Sequence, residues 1–195
     1  MSRARSKIAN SAKVTKYIKG GAKKITEQIY DLLSMHPKDV VEAVKADHKA
    51  LRNYLGVLKN TDEKMSVRRR AYDSFAALLK SHSVAEEKAV YVPSLKLTGR
   101  EMHIKIAEGY VEHYIADTLM KRMESTDDAL TWSAHANVLA ENMEHHLKEE
   151  ERDLLPLIRK AAPAKLNMDM LQEFFSLRAK SQKKITAKNA GALKD

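Results

Sequence analysis

The sequence predicts an all-α protein: an antiparallel up-down four-helix bundle with extra helical segments at its N- and C-termini. Three observations carry this. Glycine (6) and proline (4) are scarce among 195 residues, a composition that favours long helices joined by short loops. Apolar residues recur at steps of three and four, which marks one face of a helix. Runs of β-branched residues alternating with polar ones, the mark of strands, do not occur.

The first helix is announced by Pro37 and Asp39, a first-turn proline with a capping acid. Its stripe is Val41, Val44, His48, Leu51, Leu55 and Leu58, and Asn60, Thr61 and Asp62 close it. The second is expected from about Ser66 to Tyr91, ending before Pro93, with Phe75, Leu78, His82, Glu86 and Ala89 on its inner face. The third follows Gly99 with Met102, Ile106, Gly109, His113, Asp117 and Met120. The fourth opens near Asp127 and Asp128, acids suited to a helix start. It carries Leu139, Met143, His146, Glu150, Leu154 and Leu157, with Pro156 near its end. These helices divide the chain into a basic arm (1–38), a bundle (39–159) and a C-terminal segment with a basic tail (160–195). Ile25 to Met35 is helix-prone; Leu166, Met170, Leu171, Phe174 and Phe175 suit an extra helix packed on the bundle, and Ser181 to Asp195 reads as a frayed tail.

Composition narrows the chemistry. Cysteine is absent, which excludes disulfides, thiolate zinc sites and thiol nucleophiles and fits a reducing cytoplasm. No stretch has the length of a membrane span, and no apolar run follows the basic N-terminus as a secretory signal requires. The net charge of +9 is concentrated at the ends. Residues 1–38 hold nine Lys/Arg against Glu27 and Asp31, and residues 160–195 hold eight against Asp169, Glu173 and Asp195, so the central body is mildly acidic. Such ends suit solvated tails, or contacts with nucleic acid or an anionic membrane. No phosphate loop, nucleophile elbow or His-Glu-x-x-His motif is present.

The informative residues are polar ones inside apolar stripes: His48, His82, Glu86, His113, His146 and Glu150. A buried carboxylate costs several kcal/mol unless it is paired or bound to a cation. Six such residues on the inward faces of four helices need one explanation, and a metal site supplies it. His82 with Glu86 and His146 with Glu150 repeat the pattern His-x-x-x-Glu, whose members lie one turn apart on one face. Each pair is followed by a second acid, Glu87 or Glu151, and then by Pro93 or Pro156. His113 has Asp117 at the same spacing. Mixed imidazole and carboxylate ligands suit iron or manganese better than copper, with zinc as a further alternative. Four His and two Glu exceed the needs of one tetrahedral ion and fit two metals bridged by carboxylates.

Ala46-Asp47-His48, Ser81-His82-Ser83-Val84-Ala85-Glu86-Glu87 leading to Tyr91-Val92-Pro93, Glu112-His113, and His145-His146-Leu147-Lys148-Glu149-Glu150-Glu151 leading to Pro156 resemble the hemerythrin-like (HHE cation-binding) family over about residues 39–159. The resemblance implies a four-helix bundle with a non-haem di-iron centre that binds dioxygen or a related small molecule such as nitric oxide, for sensing, storage or detoxification. Residue by residue, it makes His48, His82, His113 and His146 ligands, with Glu86 and Glu150 as bridging acids. Oxygen-carrying members place two histidines four apart on the third helix. Here the second is Asp117, which puts reversible oxygen carriage in doubt.

Asp117, His145 and Glu149 are further candidates for the metal or its surroundings. His146 is preferred to His145 because it shares the frame of Leu139, Met143, Leu154 and Leu157, whereas His145 keeps company with Glu141 and Arg152. His36, His103 and His135 read as structural. Arg68, Arg69 and Arg70 read as a solvated face, and Tyr54 and Tyr110 as packing residues near the pocket. The leading function is a binder or sensor of a small molecule. The alternatives are a metal-dependent enzyme acting on peroxide or nitric oxide, and a helical interaction module using its basic ends.

Overall fold

The structure, a computed structural model, describes residues 37–191, with side chains through residue 185. The expected basic arm, including Ile25 to Met35 and His36, lies outside the described residues except at its last positions. Four long helices form the bundle: α1 (Val40–Leu58), α2 (Met65–Glu86), α3 (Arg100–Glu124) and α4 (Ala129–Glu149). A short α5 (Leu155–Ala161) and a long α6 (Ala164–Gly191) follow. No strand occurs among the described residues, and none of the helices there is long and apolar enough to cross a membrane.

The helix starts follow from their caps. The Asp39 carboxylate accepts from the Glu42 N–H, and Asp128 does the same for Thr131, each satisfying a backbone donor with no partner in the helix. Gly99, which precedes α3, has φ of 142°, a conformation that disfavours residues with a Cβ.

Two positions depart from the expected helix course for one reason. The helix does not stop before Pro93: α2 widens into a π-helical turn, Glu87–Tyr91, and continues through Val92–Ser94. α4 behaves alike, widening over Glu150–Leu154 before Pro156 in α5. In each turn an N–H reaches back five residues, from Val92 to Glu87 O and from Leu155 to Glu150 O. The wider turn carries the chain past a proline that would clash in a regular α-helix.

Around the bundle, α1 lies between α2 and α4, and α3 closes the ring against α4 and α2. α6 covers the outer groove along α2 and α1. It runs to Gly191, well past Ser181, so the expected frayed tail is helical over most of its length. Arg68 also departs from the solvated face expected for it. It is buried, donating from Nε to Leu58 O at 2.9 Å and from Nη1 to Ser133 Oγ at 2.8 Å, with its guanidinium 5.4 Å from the Trp132 ring. The stripe identifies the inner face but not a planar cation that lies on an aromatic at the face's edge.

Two apolar clusters fill the interior. One includes Leu51, Leu55, Phe75, Leu79, Met120, Trp132, Leu139 and Met143. The other includes Val40, Val44, Tyr91, Met102, Ile106, Leu154, Leu155 and Phe174. His48 lies between Val44 and Leu51, and His146 between Met143 and Leu154, so a polar layer separates the clusters. Phe174 ties α6 to this interior and is fully buried. Phe174→Ala should lower unfolding free energy by about 3–5 kcal/mol in denaturant titrations; a cost under about 1 kcal/mol would mean that α6 is only loosely attached.

Candidate metal centre

The polar layer consists of His48, His82, Glu86, His113, His146 and Glu150, one or two from each helix of the bundle and all buried. Glu86 Oε2 stands 3.3 Å from His82 Nε2 and 3.6 Å from His113 Nε2. Glu150 Oε2 stands 3.3 Å from His48 Nε2 and 3.6 Å from His146 Nε2. The imidazoles fall into two pairs, His48 with His82 (ring centroids 5.2 Å apart) and His113 with His146 (4.8 Å). Each carboxylate therefore spans both pairs.

Seven atoms at the heart of this layer find no hydrogen-bond partner: the Nε2 atoms of all four histidines, both oxygens of Glu86, and Oε2 of Glu150. Leaving one buried polar atom unsatisfied costs about 1–3 kcal/mol. A cation satisfies all seven at once. Nitrogen and oxygen ligands at about 2.0–2.2 Å from one ion stand about 3–3.6 Å from each other, as these atoms do. Among the described residues, two buried groups in this layer have atoms placed to hold a cation, and they share Glu86: His48, His82 and Glu86, and Glu86, His113 and His146.

The outward ring nitrogens are all engaged. His48 Nδ1 donates to Glu151 at 3.1 Å, His82 Nδ1 to Asp47 at 3.3 Å, His113 Nδ1 to Glu87 at 2.9 Å, and His146 Nδ1 to Glu112 at 2.7 Å. A carboxylate can only accept, so each Nδ1 carries the proton and each Nε2 is left facing inward. Metal-ligating histidines are held in this way. Glu87 and Glu151, the second acids of the repeated pattern, thus act on histidines of neighbouring helices.

The further candidates lie elsewhere. Asp117 faces solvent and pairs with Lys121 at 2.6 Å. At that turn of α3 the inward residue is Ala116, fully buried, because Asp117 has rotated past the face that His113 and Met120 share. His145 is exposed and lies with Glu149 and Glu112 in a separate surface group, its Nε2 3.4 Å from Glu149. Lys105 bonds Glu149 at 2.6 Å there. His146, by contrast, is fully buried. His103 and His135 bond backbone carbonyls, of Leu97 and Thr131, at 2.9 Å each. Tyr54 belongs to the apolar cluster around Leu51, and Tyr110 packs edge-on against Tyr91 at 5.2 Å.

Tyr91 is the residue at the site that motif spacing missed. It is fully buried in the π turn, its hydroxyl donates to Glu150 Oε1, and its ring lies nearly parallel to His113 at 6.0 Å. Burial, followed by the charges of Glu150 and Glu86, pushes its phenol well above the usual value, so the proton stays on the tyrosine. A Cβ at Gly109 would come within 2.5 Å of the Tyr91 hydroxyl. A glycine inside an apolar stripe was the available signal: it marks a close approach by something large.

With these geometries in hand, the class is clear: a helical bundle with a buried histidine–carboxylate centre suited to metal cations. The family description Hemerythrin HHE cation binding domain matches residues 39–158, and the chain belongs to that family. Comparison with curated proteins and with solved structures gave no match.

Electrostatics set the pH behaviour. In the metal-free chain burial opposes a charged His82, but Glu86 and Asp47 outweigh it and hold the imidazole up to about 10. His146 is likewise raised, against burial, by Glu150 and Glu112. Burial would raise the Glu151 carboxyl, yet hydrogen bonds from His48 and Arg52 bring it down to about 2. At neutral pH a cation must therefore displace a proton from His82, and binding tightens as pH rises toward 10. The His82 contribution to metal-free stability has the opposite trend: it is complete below the unfolded value near 6.5 and lost as pH rises through about 10. Zinc competition titrations at pH 6, 7 and 8 should show affinity rising at least about tenfold per unit; a flat profile would contradict it. Backbone space gives a second check. Gly109→Ala should cost about 1–3 kcal/mol, whereas Gly56→Ala, whose Cβ meets nothing within 4 Å, should gain about 0.5–1 kcal/mol, both measured by chemical unfolding.

Proposed function

We propose that this chain binds a pair of iron ions and uses them to bind or sense a small molecule such as dioxygen or nitric oxide. The observation that carries this reading is a set of seven unpartnered buried atoms from all four sides of the bundle, within two adjoining groups that share Glu86. His48 and His82 would hold one ion, His113 and His146 the other, and Glu86 and Glu150 would stand between them. Four imidazoles with two carboxylates suit iron, with manganese or zinc as less favoured occupants. Six protein ligands shared by two ions leave coordination positions for an added ligand.

When bound, a ferrous pair supplies reversible electron donation to such a ligand. The protein's own part is to position and to exclude. The four carboxylates fix the imidazole planes, and Phe75, Leu79 and Met143 form dry walls on one side of the layer. Tyr91 keeps its proton beside Glu150 and holds Oε1, which leaves Oε2 directed at His48 and His146. With one histidine contributed by α3, the site favours a sensor or binder over an oxygen carrier. The cysteine-free sequence suits a reducing cytoplasm, where we place the protein.

Anaerobic reconstitution with ferrous iron tests the reading. About two irons per chain should bind, with a charge-transfer band appearing on exposure to air; fewer than two, or no band, would defeat it. Glu86→Ala or Glu150→Ala should abolish the paired state and His146→Ala should lose iron, whereas His145→Ala and His103→Ala should keep it. Turnover of peroxide or nitric oxide with a reductant, beyond stoichiometric change, would instead support the enzymatic alternative.

A further inference from the structure

α6 begins after the cation-binding domain ends at residue 158, yet it reaches the surroundings of the metal centre. Arg178 on α6 is buried and places Nη2 2.8 Å from Asp47 Oδ1. The other oxygen of the same carboxylate, Oδ2, accepts from His82 Nδ1 at 3.3 Å. Four residues earlier, one helical turn away on the same face, the fully buried Phe174 presents its ring edge-on to His82 at 5.9 Å. One helix outside the domain therefore both covers the His82 ring and ties the acid that orients it.

Asp47 sits at the join. It is almost wholly buried, and a carboxylate in that position stays ionised only with compensating charge and hydrogen bonds. Arg178 supplies both from one side, while His82 donates from the other. An arginine at 2.8 Å fixes the carboxylate's rotation, and the carboxylate fixes the plane and tautomer of the imidazole. The other three supporting acids, Glu87, Glu112 and Glu151, bond His113, His146 and His48 respectively.

We propose that α6 is a working part of the metal centre: Arg178, acting through Asp47, positions His82, so that the affinity of one of the two metal positions depends on a residue outside the cation-binding domain. Arg178 is a positioning residue, since the contact through which it reaches His82 is the Asp47 carboxylate. The proposal rests on His82 being a ligand, as argued above.

The test is anaerobic titration of the full chain with ferrous iron, resolving two binding steps, with thermal unfolding of the metal-free protein measured alongside. Arg178→Gln should weaken one step about 10–100-fold and leave the other within about threefold, and Arg178→Lys should recover most of the loss. Leu171→Ala, a buried α6 residue outside this relay, should lower the unfolding temperature without separating the two steps. A purely structural role for Arg178 would make Arg178→Gln behave like Leu171→Ala, and that result would overturn the proposal. Should Arg178→Gln leave Asp47 uncompensated and fail to fold, the pair Asp47→Asn and Asp47→Asn/Arg178→Gln decides it, because neither buries an unpaired carboxylate. Action through Asp47 requires the double variant to bind iron as the single one does, and a further selective loss in the double would overturn it. Failure of the unaltered chain to bind two irons would defeat the proposed function and this inference with it, whereas two unaltered steps in Arg178→Gln would defeat this inference alone.

Discussion

Four bonds from imidazole Nδ1 to carboxylate hold the structure's centre in place, and they form a closed ring around the bundle. Asp47 of α1 holds His82 of α2; Glu87, just past α2, holds His113 of α3; Glu112 of α3 holds His146 of α4; and Glu151, just past α4, holds His48 of α1. Every helix accepts from the next and donates to the previous one. Each supporting acid is also the sequence neighbour of an inward residue: Asp47 beside His48, Glu87 beside Glu86, Glu112 beside His113, Glu151 beside Glu150. Neighbours on a helix are turned by about 100°, so when one side chain points at the bundle axis the other points sideways at the adjacent helix. On α1 and α3 the acid precedes the inward residue, and after α2 and α4 it follows. Antiparallel helices reverse the sense of rotation seen from one end, so the alternation sends all four acids the same way round.

This ring explains how so polar a layer survives between two apolar clusters. It satisfies the outward side of every imidazole and links adjacent helices by hydrogen bonds at the level where hydrophobic packing is interrupted. What it cannot satisfy is the inward side, where the Nε2 atoms and carboxylate oxygens face each other. The same atoms that make the metal-free bundle costly are those that a cation would bind, so occupancy and stability are linked. The π turns belong to this arrangement. Each starts at or just after an inward glutamate, and each brings a further residue into place: Tyr91 from the first, Leu154 from the second.

The fold was legible because apolar periodicity reports which face is inward, and that held on all four bundle helices. The six inward residues were legible for the same reason, as polar residues standing where Leu or Val would. Asp117 shows the limit of the method. The i+4 spacing from His113 places it near the inner face, but over seven residues the axis-facing position at that turn falls to Ala116. Arg68 shows another, since a single charged residue at the edge of a stripe can lie flat on a buried Trp ring. The supporting acids were visible as neighbours of the inward residues, yet their partners are on other helices, and local spacing carries no information about contacts between distant segments. Tyr91 and the π turns were hidden because a widened turn shifts register by one residue, which the proline alone does not disclose.

The ring is regular in connectivity and unequal in charge. Glu151 is paired with Arg52 at 2.8 Å and Asp47 with Arg178 at 2.8 Å, so both acids behind His48 and His82 carry an arginine. Among the described residues, Glu87 and Glu112, behind His113 and His146, pair with histidines and with no lysine or arginine. A carboxylate without a counter-ion lends more negative charge to the imidazole it holds, and a neutralised one lends less. The two pairs of histidines therefore offer a cation different fields although their inward atoms match in kind and spacing. One of the two arginines lies on the exposed side of α1 and the other on α6, beyond the matched residues 39–158. A bundle whose inward residues are nearly symmetric thus acquires its asymmetry from the next layer outward, part of which α6 supplies from beyond the matched residues 39–158.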